Sequence, residues 1–296
     1  MSRTVWTGSF VALITPFRNG KVDAAALEKM VEFHVANGTN GLVPCGSTGE
    51  SATLSPEEHE EVIRLVIRVA KKRLPVLAGT GSNNTAEAVA LTKAAEKDGA
   101  DGSLQIVPYY NKPTQEGLYR HFKAVAEATR LPIMLYNIPG RTGVNMTADT
   151  VARLADVPNI VAIKEASANL EQMAEIVARC GDRIALFSGD DALTLPILAL
   201  GGIGVVSVVA NLLPRQVADL CSAFRRGDLQ VAREIHEKLL PLTQSLFIET
   251  NPIPVKTAMA MLGRCAEEFR LPLTPMEAAH RTALRAALTA AGLSPG

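Results

Sequence analysis

The sequence predicts an α/β protein with a parallel sheet, read as a (β/α)₈ TIM barrel followed by a C-terminal helical extension. Three observations predict it. Eight short apolar runs recur along the chain, amphipathic stretches with helix-start signals separate them, and past Gly227 only helical periodicity continues, to about Ala291. The runs cover residues 8–14, 41–45, 75–78, 102–107, 132–136, 160–164, 184–188 and 203–209. They are almost unbroken rather than alternating, as parallel strands covered by helices should be. Eight units of roughly 28 residues each match the usual size of a βα unit. Strand counting does not establish closure, so a doubly wound open sheet stands as the rival.

The elements follow in order. The first run is short and is followed by Pro16; it is too short to span a membrane, and no small-residue cleavage pattern follows it, so it reads as a first strand of a soluble, cytoplasmic protein. Asp23 can cap a helix whose Leu27, Met30, Val31 and Val35 share a face, with Gly38 ending it. Ser55-Pro56-Glu57-Glu58 combines an N-cap serine, a proline in the first turn and a capping-box glutamate. Gly201-Gly202-Ile203-Gly204 turns a helix into the eighth strand, and Thr274-Pro275-Met276-Glu277 repeats the capping arrangement near the end. The expected division is a barrel over 1–226 and a helical unit over 227–296.

Composition narrows the function. Hydrophobic residues make up 47% and aromatics 4%, so the core is aliphatic. Thirty basic and thirty acidic residues cancel, which removes the broad positive footprint that nucleic-acid binding needs. Cys45, Cys180, Cys221 and Cys265 form no CxxC, a usage suited to a reducing cytosol. The five histidines are dispersed without HExxH or paired spacing, which disfavours a zinc-dependent aldolase; His34, inside an amphipathic helix, reads as structural.

In a barrel, the C-terminal strand ends hold the active site. The sixth run ends Ile163-Lys164-Glu165. A lysine closing a buried aliphatic strand loses the hydration of its ammonium. The same burial lowers its pKa and yields the neutral amine that attacks a carbonyl. The bland reading pairs Lys164 with Glu165 or another carboxylate, and position alone does not separate the two. The fifth run ends Tyr136-Asn137, then Pro139-Gly140-Arg141. A tyrosine there can move protons or simply fill space. Arg141 can hold a carboxylate at two points, or it is a surface arginine. Pro44-Cys45-Gly46-Ser47-Thr48-Gly49-Glu50-Ser51 makes a tight turn whose N–H groups suit an anion, but lacks a Walker lysine. Gly79-Thr80-Gly81 is no dinucleotide fingerprint, since Asn84 stands where a glycine is needed.

Together the segments GSTGESATL (46–54), AGTGSNNTAEA (78–88), PYYNKPTQEGLYRHF (108–122), LYNIPGRTG (135–143), IKEAS (163–167), SGDD (188–191) and NPIPVK (251–256) resemble the dihydrodipicolinate synthase family, in order and spacing over nearly the whole chain. That resemblance implies a closed barrel and a homotetramer built as a dimer of dimers. It implies an imine between Lys164 and pyruvate, with Tyr136 as proton donor and acceptor. Ser47 and Tyr110 complete the relay, Tyr110 reaching in from the neighbouring subunit. Thr48 would bind the pyruvate carboxylate, with Val206 and Gly189 lining the pocket. Arg141 would grip the carboxylate of L-aspartate 4-semialdehyde.

The same resemblance implies the first committed step of diaminopimelate and lysine biosynthesis, with no metal or organic cofactor, because the imine itself activates the substrate. It places an allosteric L-lysine site at Ser51, Ala52, His59, Asn83, Glu87 and Tyr109; the bland reading of His59 is an exposed polar position on the second helix. Serine at 47 departs from the threonine common in the family, and Pro56 replaces a histidine of some lysine-sensitive members. GSTGE also occurs in the N-acetylneuraminate lyase branch. A class I aldolase acting on a sugar-derived 2-keto acid is therefore the alternative, and a non-catalytic pyruvate- or lysine-responsive binding protein is the third.

Overall fold

The structure is a computed structural model and describes residues 6–296. Residues 1–5, at the start of the expected first unit, lie outside the described residues. Eight parallel strands form the interior: β1 (Gly8–Ala12), β2 (Gly41–Val43), β3 (Leu77–Gly79), β4 (Gly102–Ile106), β5 (Ile133–Asn137), β6 (Ile160–Glu165), β7 (Ala185–Ser188) and β8 (Gly204–Ser207). Their hydrogen-bonded order runs β2-β1-β8-β7-β6-β5-β4-β3. The two ends then meet. Leu42 bridges Val76 in parallel, the Leu42 N–H donates to Pro75 O at 2.9 Å, and the Gly79 N–H donates to Pro44 O at 3.0 Å. The sheet is a barrel, and the open-sheet rival falls.

Every expected run contains a strand; four strands end before their runs do, the first and the eighth where side chains take over the backbone's partners. Asn211 accepts from the Ile14 N–H and donates to Ala12 O, ending β1 at Ala12. The Asp191 carboxylate accepts from the N–H groups of Val208 and Val209 at 2.8 and 3.2 Å, so the eighth strand stops at Ser207 and turns.

Outer helices follow the strands: α1 (Ala24–Ala36), α2 (Pro56–Ala70), α3 (Thr85–Asp98), α4 (Gln115–Glu127), α5 (Ala148–Leu154), α6 (Leu170–Cys180), α7 (Thr194–Ala199) and α8 (Pro214–Arg225). Asp23 caps α1 through the Ala26 N–H, and Ser55 with Glu58 forms the capping box of α2. Each such cap stabilises its helix by about 1 kcal/mol. Gly201, with φ of 106°, makes the turn from α7 toward β8 that an L side chain would strain.

Past Gly227 come α9 (Leu229–Ser245), α10 (Ile253–Met261) and α11 (Ala278–Ala290). Helical periodicity does not run unbroken to Ala291, because residues 262–277 are irregular. Nor does Thr274 cap the last helix. Met276 is buried, and Glu249 instead accepts from the Glu277 N–H at 2.9 Å while bonding His280 Nδ1 at 2.7 Å. A carboxylate from a distant segment has replaced the local cap.

Phe10, Val43, Leu77, Leu104, Met134, Phe187 and Val206 fill the barrel interior, with Phe10 and Phe187 edge-on at 5.7 Å. The C-terminal helices share a core with the barrel: Val255, Met259, Leu284 and Leu288 join Val11, Leu27 and Leu42 in one cluster. Leu284 and Leu288 are fully buried, each contributing about 2 kcal/mol. Among the described residues no helix is long and apolar enough to cross a membrane.

Candidate active site

Tyr136 and Lys164 stand opposite each other in register on β5 and β6, one residue before each strand ends. Strand alternation turns both toward the interior and sends the next residues outward. Glu165 is therefore no partner for Lys164. It sits behind the sheet, accepting from Asn137 Nδ2 at 3.0 Å, the Ser167 N–H at 2.8 Å and Gln172 Nε2 at 3.1 Å. The pairing alternative for Lys164 falls with it, and no ion pair among the described residues includes this amine.

Lys164 is 6% exposed and its Nζ lies 4.0 Å from the centroid of the Tyr136 ring. Burial, with a smaller push from Arg141 and opposed by Asp191, brings the amine down to about 7. The Tyr136 hydroxyl moves the other way: burial, seconded by Glu165 and opposed by Arg141, raises its pKa. A near-neutral amine therefore lies against a phenol that keeps its proton. Gly189 supports the arrangement by its lack of a side chain. A Cβ there would lie 2.8 Å from Ala166 Cβ and 3.1 Å from both Cγ and Cε of Lys164. Val206 lies in the same interior layer.

The loop after β2 forms a second wall. Gly49, Glu50 and Ser51 direct their N–H groups back to Gly46 O and Ser47 O. Thr48 is buried and Ser47 half-buried. Asn251, just before α10, donates from Nδ2 to Thr48 Oγ1 at 2.9 Å. Arg141 leaves the turn after β5 and donates from Nη2 to the main-chain oxygen of Asn251 at 2.7 Å. Arg141 is thus exposed but anchored, unlike a free surface arginine. One residue past Gly49, Glu50 accepts from Lys256 Nζ at 2.6 Å, with both side chains buried.

Tyr110 stands apart. It is 89% exposed and left-handed, with φ of 73°, so a single chain does not bring it to Tyr136 and Ser47. Around the neighbouring rim, Ser82 donates to Glu87, and Asn83 Nδ2 donates to Tyr109 O at 3.1 Å. His59 is not an exposed position, as its bland reading had it; it is buried, with Nε2 bonded to Gly79 O at 2.9 Å. Ser51 and Ala52 form a 3₁₀ turn shortly before α2.

Three participants went unassigned in the sequence: Asn251, Lys256 and Asp191. Asn251 and Lys256 lie inside NPIPVK and Asp191 inside SGDD, and the motif was visible without the contact partner. Asp191 is half-buried, bonded to Ser207 Oγ and to the Val208 and Val209 N–H groups. Burial raises its pKa and those hydrogen bonds oppose the rise.

The sequence pattern described as the Dihydrodipicolinate synthetase family matches residues 5–291. A 4-hydroxy-tetrahydrodipicolinate synthase of Thermodesulfovibrio yellowstonii is 54% identical, covering 98% of this chain and 99% of its own. The crystal structure of dihydrodipicolinate synthase from Aquifex aeolicus is similar at a TM-score of 0.97 and 54% identity, covering 98% of this chain and 99% of that one. That of DHDPS from Cyanidioschyzon merolae with lysine bound has a TM-score of 0.95 and 47% identity, covering 98% of this chain and 99% of that one. Barrel, buried lysine and near-complete match agree: the chain belongs to the dihydrodipicolinate synthetase family.

Proposed function

We propose that the protein is a 4-hydroxy-tetrahydrodipicolinate synthase, joining pyruvate to L-aspartate 4-semialdehyde through an imine on Lys164. The observation that carries the mechanism is the lysine itself: buried at a barrel strand end, held in contact with Tyr136 and brought to about 7. The free amine attacks the pyruvate ketone, water leaves, and the protonated imine draws electrons from the adjacent methyl group. Loss of a methyl proton gives the enamine, whose carbon attacks the aldehyde. The substrate's own amine then closes the ring and displaces Lys164.

Tyr136, kept protonated by burial, delivers and recovers protons with Ser47 and the partner copy's tyrosine at position 110. Thr48 binds the pyruvate carboxylate, Gly189 and the Val206 backbone line the pocket, and Arg141 receives the semialdehyde carboxylate. The exposed, left-handed Tyr110 supports an assembly in which copies pair through this rim, as a tetramer of tight dimers. L-lysine binds at Ser51, Ala52, His59, Asn83, Glu87 and Tyr109, a reading supported by the hydrogen bonds from Asn83 to Tyr109 and from Ser82 to Glu87 along this rim. The thiols of Cys45, Cys180, Cys221 and Cys265, all unbridged, suit a cytoplasmic setting. The natural division falls in the turn at 226–228 between α8 and α9.

Hydride reduction in the presence of pyruvate tests the central claim. Mass spectrometry should find the adduct on Lys164, and its absence refutes the imine. Turnover of pyruvate with aspartate semialdehyde, set against cleavage of sugar-derived 2-keto acids, then tests the substrate.

A further inference from the structure

Asn251 belongs to the C-terminal segment, 203 positions from Thr48 in sequence, yet its side chain meets the barrel loop directly. It is 7% exposed, so its polarity is costly where it stands. Its Nδ2 has Thr48 Oγ1 at 2.9 Å, while its Oδ1 is buried with no hydrogen-bond partner among the described residues. An unpaired buried acceptor destabilises the fold. A residue kept for packing alone would be better apolar. The main-chain oxygen of the same residue holds Arg141 Nη2, so one residue touches both groups assigned to the two substrate carboxylates.

We propose that Asn251 is a positioning residue for pyruvate capture: by donating to Thr48 Oγ1 it occupies the acceptor side of that hydroxyl and leaves the hydroxyl hydrogen to point at the substrate carboxylate. This rests on the assignment of Thr48 above. Without the amide, the hydroxyl can rotate and itself donate to a protein acceptor, and the carboxylate loses an aimed donor. The Arg141 contact uses main chain, so truncating the Asn251 side chain leaves it in place.

The test is a double-mutant cycle on the full-length enzyme, using Asn251→Ala, Thr48→Val and the pair. Asn251→Ala should raise the pyruvate KM, and the pyruvate concentration that half-saturates reductive trapping of Lys164, by about tenfold, the worth of one hydrogen bond to a charged group. The semialdehyde KM should move less than about twofold, a small fraction of that hydrogen bond. Adding Asn251→Ala to Thr48→Val should change the pyruvate KM little further, because the hydroxyl it orients is gone. A merely structural residue would instead lower the melting temperature and depress turnover without this split. An unchanged pyruvate KM in Asn251→Ala, or losses that add in full in the double variant, overturns the proposal. Should Asn251→Ala fail to fold, Asn251→Ser, which keeps a small polar side chain, carries the same expectations. Wild-type enzyme that traps no pyruvate on Lys164 would defeat the parent reading instead, so the two failures are distinguishable.

Discussion

Replacing Lys256 with methionine removes one half of an ion pair that water does not reach. The Lys256 side chain has no exposure and that of Glu50 has 1%, with 2.6 Å between Nζ and Oε1. Burial lowers the lysine's pKa, and contact with Glu50 opposes that shift. Once the ammonium is gone, the Glu50 carboxylate keeps, among the described residues, only the main-chain N–H of Arg270, 3.4 Å from Oε2. An uncompensated buried charge of this kind costs about 3–5 kcal/mol. The ammonium also lies 3.9 Å from the centroid of the Phe17 ring, a contact worth about 1 kcal/mol. At about 2 °C of melting temperature per kcal/mol for a domain of this size, Lys256→Met should melt about 10 °C below wild type. The double variant Glu50→Gln/Lys256→Met removes the stranded charge and should recover more than half of that loss, leaving the Phe17 contact unrecovered. Circular dichroism melts of the three proteins at neutral pH give the comparison. A single variant within about 2 °C of wild type, or a double variant no better than the single, refutes the reasoning that charge burial dominates here.

Four further outcomes follow from the same geometry. With the Lys164 amine at about 7, reductive trapping at limiting pyruvate should level off above that pH and fall about tenfold per unit well below it, as ammonium replaces amine; a profile that breaks only near the ordinary lysine value would contradict the burial effect. The sign for stability is the reverse of a salt bridge: the cost of burying this lysine is full below about pH 7 and is relieved as pH rises toward 10.5. Gly189→Ala, whose Cβ would meet Ala166 and the Lys164 stem, should displace the amine, costing about 1–3 kcal/mol in stability and about tenfold or more in trapping rate. Arg141→Ala should leave trapping intact and lower kcat/KM for the semialdehyde about 100-fold, the worth of a charged two-point contact; equal loss in both steps would remove Arg141 from the second carboxylate.

What was legible in the residues was what neighbours in sequence dictate. Unbroken apolar runs mark parallel strands, and the caps at Asp23 and Ser55 formed where their spacing predicted. Thr274 met the same local rule and lost, because Glu249 reached the helix start first and Met276 was drawn into the core. Lys164 was visible for a local reason too: an ionisable group closing an aliphatic run. The choice between free amine and ion pair needed the fold, which turns Glu165 to the other side of the sheet and leaves Lys164 in no ion pair among the described residues. Asn251 offered no such signal. Its partner Thr48 is 203 positions away and Lys256 lies 206 from Glu50, and only the folded return of the C-terminal segment to the barrel brings them together.

The two buried lysines show why composition and burial do not by themselves define a catalytic amine. Both lie against aromatic rings at nearly equal distance, Lys164 at 4.0 Å from Tyr136 and Lys256 at 3.9 Å from Phe17. Burial pulls both below the ordinary lysine value. Their difference lies in the nearest carboxylate. Glu50 touches Lys256 directly, which favours the charged form and makes the amine a strut between the C-terminal helices and the loop of Ser47 and Thr48. Asp191, the carboxylate whose charge Lys164 feels, instead accepts from Ser207 and two backbone N–H groups. Its charge therefore acts at a distance and leaves the amine unbonded. In the proposed reaction, that same fixed charge would favour the protonated imine without contending for the nitrogen. Withholding a contact partner from one lysine while supplying it to the other separates the amine proposed to react from the structural one.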